Sequence, residues 1–308
     1  MKQNSNILGA LIREMRSVYA EGGNVMQFAR QQTDTIENET QAIEIAYDLQ
    51  AGTYIDWARQ EPSIKARWCN QIADILSPLV NQNTSLLEIG CGEATTLAGV
   101  VNRLNPQPNK VFGFDISWSR CVHANKWLNE KKVNAEIFVS DLFEIPFQDS
   151  SIDIVYTSHS LEPNGGQELL ALKELLRVAR RKVVLIEPLF ELASTAAQKR
   201  MEEHGYVKNL KGVAESLGFS VSHYGLLDFI ENPLNPSGML VIDKTDCVNE
   251  SLDHSLWRCP MTHFPLEKVN ECFYSAEGGI LYPIVEGVPM LHQKNAIIGS
   301  AFEAMTKR

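Results

Sequence analysis

The chain has 308 residues, 44% of them hydrophobic and 21% charged, the composition of an ordinary globular protein with length for two domains or for one large domain and an appendage. Its net charge of −10 gives a summed field that repels phosphate backbones and argues against nonspecific nucleic-acid binding. Six scattered cysteines form no dense disulfide framework and suit a reducing compartment, so a cytoplasmic location is expected.

The first apolar run, "ILGALI" at 7–12, stops at Arg13 and Glu14, too short for a signal-peptide core or a bilayer span. Leu8, Leu11, Ile12, Met15, Val18 and Tyr19 recur at helical spacing, which predicts an amphipathic helix ended by Gly22 and Gly23. Two more helical patterns cover roughly 40–60 and 62–80, the second opened by Pro62 at a first-turn position. Residues 1–80 hold no good run of strands and are expected to form an N-terminal helical cap.

From 84 onward apolar runs alternate with mostly helical patterns: "LLEIG" (86–90), "VFGFD" (111–115), "EIFVS" (136–140), "IDIVYT" (152–157) and "KVVLIE" (182–187). That alternation predicts an α/β fold, a mostly parallel sheet doubly wound by helices. The link "DLFEIPFQDSS" between the third and fourth runs leaves little room for a helix. "RVARRK" at 177–182 reads as cations at a helix end, where they complement the macrodipole. Two later runs, 220–229 and 238–244, joined by "IENPLNPS", predict an antiparallel edge hairpin and bring the sheet to seven strands. The polar stretch "TDCVNESLDH" then suggests a boundary near 247–252. The expected units are 1–80, a core at 81–246, and a small β-rich module at 252–295.

The first strand opens into a helix through Gly90 and Gly92, where small residues let backbone approach a ligand. Thr95 stands where a dinucleotide fingerprint has its third glycine, and Glu88 is a poor neighbour for phosphate but a good one for an ammonium group. S-adenosylmethionine carries such a cation and no phosphate. Asp115 ends the second strand, placed to accept from ribose hydroxyls. Asp141 and Leu142 follow the third, placed at an adenine edge.

In these stretches the sequence resembles the class I S-adenosylmethionine-dependent methyltransferases: "LEIGCGEA" is similar to their first motif, "FGFDIS" to their acidic second-strand motif, and "VSDLFEIPFQDSSIDIVYTSHSLE" to their third- and fourth-strand region. The resemblance covers about 40–244 and implies a Rossmann-like core with S-adenosylmethionine as cofactor. It implies that Glu88, Gly90 and Gly92 line the methionine half, Asp115 and Ile116 the ribose and adenine, Asp141 and Leu142 the adenine edge, and Ser158 and His159 the floor near the sulfur. Ala94 departs from it, replacing a frequent third glycine. "AYDLQAGTYIDWAR" (46–59) is similar to the tyrosine-bearing helix that closes over the cofactor in many members acting on small molecules. Tyr47 and Tyr54, seven apart, share a face of one helix and either serve the cofactor's carboxylate or simply pack.

"RCPMTHFPLE…LYPIVEGVPML" resembles the small zinc-ribbon-like activators that partner transfer-RNA, ribosomal-RNA and release-factor methyltransferases, here fused in the same chain. A zinc site takes four ligands in paired spacing. The segment offers Cys259 and Cys272 with His263 nearby, and Thr262 where a C-x-x-C pair has its second thiol, so no metal is expected.

Methyl transfer needs donor and acceptor aligned and a proton managed. His159, just past the fourth strand, is the first candidate base and Glu162 the second, with Tyr156, Glu187 and Asn164 as candidate substrate contacts. The expected acceptor is a small polar metabolite or a glycan precursor. The alternatives are RNA or protein, aided by the fused segment, or a non-catalytic cofactor-binding regulator. No membrane partner is expected.

Overall fold

A computed structural model describes residues 2–33, 38–244 and 255–302. Helix α1 (Lys2–Ala20) ends before Gly22, whose φ of 75° suits a helix stop. A helix absent from the expected set, α2 (Val25–Thr33), follows; its Val25 and Ala29 pack with Met15, Ala42 and Ala46 in a small cluster of their own. The single helix expected over 40–60 is two, α3 (Thr40–Leu49) and α4 (Thr53–Gln60), because Gly52 between them sits at φ 100°, which no helix can continue through. Helix α5 (Pro62–Leu76) starts at its proline and buries Trp68, Cys69, Ile72 and Leu76 in the main core. It is therefore a flanking layer of the sheet as well as part of the helical N-terminal segment.

The main sheet contains β1 (Ser85–Ile89), β2 (Lys110–Asp115), β3 (Glu136–Val139), β4 (Ile152–Ser158), β5 (Ala179–Pro188), β6 (Ser220–Leu226) and β7 (Ser237–Asp243), in the order β3-β2-β1-β4-β5-β7-β6. The first five are mutually parallel and β7 runs antiparallel to both β5 and β6, the expected edge hairpin. Alternate residues bury on opposite faces: Leu86, Ile154, Tyr156 and Val184 on one, Leu87, Val155, Val183 and Leu185 on the other. The helices that wind it are α6 (Thr95–Val101), α7 (Trp118–Lys131), α8 (Glu168–Val178), α9 (Thr195–Glu203) and α10 (Leu210–Ser216). Strand order reverses between β1 and β4, which opens a crevice at their carboxyl ends.

The link from β3 to β4 contains no helix and is held instead by Arg177, which donates to the carbonyls of Ile145 (2.8 Å) and Phe147 (2.7 Å). Of the "RVARRK" cations only Arg177 lies in the last turn of α8. The helix stops at Val178, and Arg180 and Lys182 belong to β5, where they pair with Asp153 and Asp243. Arg181 donates instead to the Leu79 carbonyl (3.0 Å), so the basic stretch is engaged within the fold.

After the hairpin, β8 (Trp257–Arg258), β9 (Pro265–Val269), β10 (Cys272–Ser275), β11 (Ile280–Val285) and β12 (Val288–Pro289) form a second antiparallel sheet, with β13 (Ile297–Ile298) on β11. It abuts the free side of β3 through a parallel bridge from Val139 to Met290. Trp257 stacks on Phe147 with ring centroids 4.4 Å apart and meets Phe138 and Phe273 edge-on, so the small sheet shares a core with the large one. The expected boundary near 247–252, with Cys247, lies outside the described residues.

Candidate active site

Beyond β1 the chain turns through three left-handed residues, Gly90 (φ 59°), Gly92 (φ 55°) and Ala94 (φ 55°). A Cβ on Gly90 would lie 2.5 Å from Cβ of Ser160, and one on Gly92 would lie 3.2 Å from the Arg120 guanidinium. Gly90 is therefore required by close approach as well as by φ, whereas Gly92 is held chiefly by its φ, since the end of the Arg120 side chain can give way. Asp115 is buried and pins the loop: one carboxylate oxygen accepts from the Gly92 N–H (3.0 Å) and the other from the Ser117 N–H (2.9 Å). Burial raises its pKa against the opposing effects of Arg120 and these two N–H groups.

Glu88 is also buried and accepts from the Tyr156 hydroxyl at 2.8 Å. Burial pushes its carboxyl up to about 8. Near it stands Lys65 of α5, which donates to Thr96 Oγ1 at 2.7 Å and whose pKa burial lowers.

The helical segment is fastened over the loop by Glu93, whose carboxylate accepts from the N–H groups of Gly52 (2.9 Å) and Ile55 (2.8 Å) at the start of α4. This places Tyr47 on α3 and Tyr54 on α4, so they do not share one helix face. Arg120 gathers them instead: its guanidinium lies 4.8 Å from the Tyr47 ring and 4.3 Å from the Tyr54 ring, and its Nε donates to the Tyr47 carbonyl. Lys65 and Arg120 carry no motif signal in the sequence, and Glu93 lies within the first motif with no role assigned to it. Each matters through a partner distant along the chain.

Past β4, Ser158 accepts from Trp68 Nε1 (3.3 Å), and the His159 ring meets Trp68 edge-on at 5.1 Å. His159 Nε2 lies 2.6 Å from Ser237 Oγ, and burial lowers the imidazole pKa, which keeps it neutral at pH 7. Glu162 Oε2 lies 3.8 Å from His159 Nδ1, and the carboxylate also accepts from Asn235 Nδ2 at 3.2 Å.

Two expected substrate contacts are structural. Tyr156 is fully buried on Glu88, and Glu187 is buried beneath the lip, accepting from the N–H groups of Ser160 (3.0 Å), Leu161 (3.1 Å) and Glu162 (3.2 Å). Asn164 does reach the crevice, where its amide also donates to the Ser160 carbonyl.

The crevice is a cavity of about 450 Å³, within the range of small-molecule sites. Tyr47, Tyr54, Glu88, Gly90, Gly92, Asp115, Ile116, Asp141, Leu142, Ser158 and His159 all line it, whereas Glu162 does not. Arg120, Lys65 and Trp68 line it as well, and so do the polar residues Glu231, Asn232, Asn235 and Ser237. Ser160 Oγ and Asn235 Oδ1, both on lining residues, are buried without a hydrogen-bond partner, which is what a site awaiting a polar ligand contains.

The C-terminal module reaches the rim. His292 Nε2 lies 3.6 Å from Asp141 Oδ2, and Lys294 pairs with Glu44 of α3. His292 Nδ1 accepts from the Lys294 N–H (3.1 Å), so Nε2 carries the proton toward Asp141. His292→Ala is expected to weaken S-adenosylhomocysteine binding about fivefold, roughly 1 kcal/mol, as read by calorimetry. Unchanged affinity would remove His292 from the site.

Buried carboxyls also set a pH dependence. Glu88 is pushed up to about 8, and Glu162 and Glu187 up to about 7, all chiefly by burial. In an unfolded chain such groups ionise near about pH 4.3. From there to about pH 8 these three carboxyls hold more protons in the folded state than in the unfolded one, so their contribution to stability falls as pH rises, opposed more weakly by His159, His292 and Lys65, whose pKa values burial lowers. The ligand-free melting temperature is expected to drop between about pH 6 and about pH 8, with Glu88→Gln flattening the upper part of the drop. A rise across that window contradicts the assignment.

Residues 86–182 match the family model described as methyltransferase domain. No curated protein sequence matches the chain. Among solved structures, magnesium protoporphyrin IX methyltransferase from Synechocystis PCC 6803, with bound SAH, is 16% identical at a TM-score of 0.51, covering 65% of this chain and 98% of that one. A SAM-dependent methyltransferase from Aquifex aeolicus is 16% identical at a TM-score of 0.42, covering 56% and 88%. Geranyl diphosphate C-methyltransferase from Streptomyces coelicolor A3(2) is 11% identical at a TM-score of 0.45, covering 57% and 80%. At such identity the first likeness establishes the fold, and the domain assignment rests on the family match. Residues 86–182 thus match a methyltransferase domain, and the seven-stranded sheet that carries them has the Rossmann-like methyltransferase fold.

Proposed function

We propose that the protein transfers a methyl group from S-adenosylmethionine to an oxygen or nitrogen of a small polar metabolite or glycan precursor. The observation that supports this reading is the polar lining of the cavity around His159, whose Nε2 lies 2.6 Å from Ser237 Oγ and which shares the cavity wall with Glu231, Asn232 and Asn235. The cofactor, when bound, supplies a methyl group already activated by its sulfonium. Lys65 offers a cation to the carboxylate of its methionine half, Glu88, whose carboxyl burial pushes up to about 8, ionises to pair with the ammonium, and Asp115 and Asp141 offer acceptors to the ribose and the adenine. No helix among the described residues is long and apolar enough to cross a membrane.

The side chains then have to hold the acceptor and manage its proton. His159 is neutral; with Nε2–H on Ser237 Oγ, whose hydroxyl is directed to the Asn235 carbonyl, Nδ1 is left to take that proton, and the Glu162 carboxylate 3.8 Å away stabilises the imidazolium that results. Glu162 acts here as the charge partner of His159, without touching the acceptor. Glu187 contributes by fixing the lip backbone that carries both residues.

Incubating the protein with tritiated cofactor and fractionated small molecules, total RNA and total protein tests the substrate class. Label in the small-molecule fraction supports this reading. Label in RNA or protein assigns the other acceptor class, and label nowhere with intact cofactor binding assigns a regulator. His159→Ala is expected to lower turnover at least about tenfold with cofactor affinity unchanged. An unaltered rate would remove it as the base.

A further inference from the structure

The C-terminal module contains two tight turns built alike, 259–262 and 275–278. In the first, the His263 N–H donates to the Cys259 carbonyl (2.9 Å) and His263 takes φ 65°. In the second, the Gly279 N–H donates to the Ser275 carbonyl (2.8 Å) and Gly279 takes φ 62°. The Thr262 N–H also donates to Cys259 Sγ at 3.4 Å, an arrangement that steadies a metal-bound thiolate in a turn of this shape.

The turns face each other. A Cβ on Gly278 would lie 2.5 Å from Thr262 Oγ1 and 3.1 Å from Ser275 Oγ. Both hydroxyls are buried without a hydrogen-bond partner, and Cys259 is fully buried with its sulfur 3.5 Å from the Tyr282 hydroxyl. Two pairs of positions, each pair three residues apart on its own turn, thus converge as the ligand pairs of a tetrahedral structural zinc site do.

The residues at those positions do not fit zinc. Cys259 is a ligand, Thr262 and Ser275 present neutral hydroxyls, and Gly278 has no side chain. Cys272 is turned away, donating to the Val269 carbonyl at 3.2 Å. Among the described residues no group of three or more His, Cys, Asp or Glu side chains is placed to hold a metal ion. We infer that the module keeps the frame of a two-turn tetrahedral metal site, with ligand positions 259, 262, 275 and 278, of which only Cys259 retains a ligand.

The aromatic core of Trp257, Phe273 and Tyr282 holds the two turns together in the metal's stead. The vacated positions are also interlocked. A side chain at 278 meets Thr262 Oγ1, so Gly278 and Thr262 have to change together.

The full-length variant Thr262→Cys/Ser275→Cys/Gly278→Cys and the wild type, both stripped of metal, are titrated with Co(II) and then Zn(II). The variant is expected to bind cobalt stoichiometrically, with thiolate charge-transfer and tetrahedral ligand-field bands that zinc abolishes, and to melt lower with chelator than with zinc. The wild type is expected to show no bands and no effect of chelator. Absence of the bands in the variant overturns the inference, whether it is folded or stays unfolded with zinc present. So does stoichiometric zinc in the freshly purified wild type. As a second reading of the geometry, Thr262→Cys/Gly278→Cys is expected to close a disulfide under mild oxidation, and free thiols in the folded, oxidant-treated protein also overturn it.

Discussion

Replacing Gly90 by alanine is expected to destabilise the protein by about 3 kcal/mol and to abolish measurable cofactor binding. Two costs combine. A non-glycine residue in the left-handed region costs roughly 1–2 kcal/mol, and forcing a methyl group into packed structure typically costs another 1–3 kcal/mol. The clash is with Cβ of Ser160 at 2.5 Å, on a lip whose backbone is tied down by three bonds to Glu187, so relief requires moving either the lip or the loop. Urea denaturation and S-adenosylhomocysteine calorimetry read the two effects separately. Ala94, already at φ 55°, is the internal control: Ala94→Gly is expected to be tolerated, because it relieves strain at the third loop position. Wild-type stability and affinity in Gly90→Ala would show that the loop does not lie against the lip.

Asp115→Ala is expected to weaken S-adenosylhomocysteine binding about 100-fold, close to 2.7 kcal/mol. The carboxylate fixes the Gly92 and Ser117 N–H groups, and leaving a buried donor unpaired costs about 1–3 kcal/mol. Its loss also removes the acceptor proposed for the ribose. Asp115→Asn keeps one acceptor oxygen but turns an NH₂ toward an N–H group, so its affinity is expected to fall between those of the wild type and Asp115→Ala. If Asp115→Ala binds as tightly as the wild type, the cofactor does not lie across β2.

The sheet was legible because strands buried on both faces must be nearly continuous apolar runs, as "LLEIG" and "IDIVYT" are. Gly90, Gly92, Asp115 and Asp141 were legible for a different reason: loop residues at the carboxyl ends of parallel strands converge whatever the rest of the fold does. The break at Gly52 was hidden, because an isolated glycine within a helical pattern does not reveal its φ. Tyr156 and Glu187 were misread as substrate contacts because strand-end side chains alternate between crevice and core, and the phase is set by tertiary packing.

Arg120, Lys65, Glu93 and His292 were out of reach in another way. Arg120 gains its role from Tyr47 and Tyr54 on two cap helices, and Lys65 from Thr96 in the first turn of α6. Glu93 gains its role from the N–H groups of α4, and His292 from Asp141 at the far end of the core. No spacing along the chain encodes those partners.

Calorimetric titration of the full chain with S-adenosylhomocysteine tests the cofactor site most directly. Saturable binding of one molecule per chain is expected, weakened by Asp115→Ala and undisturbed by His159→Ala. A cooperatively folding protein that releases no binding heat across temperatures, and whose melting point the ligand does not raise, would contradict the cofactor assignment.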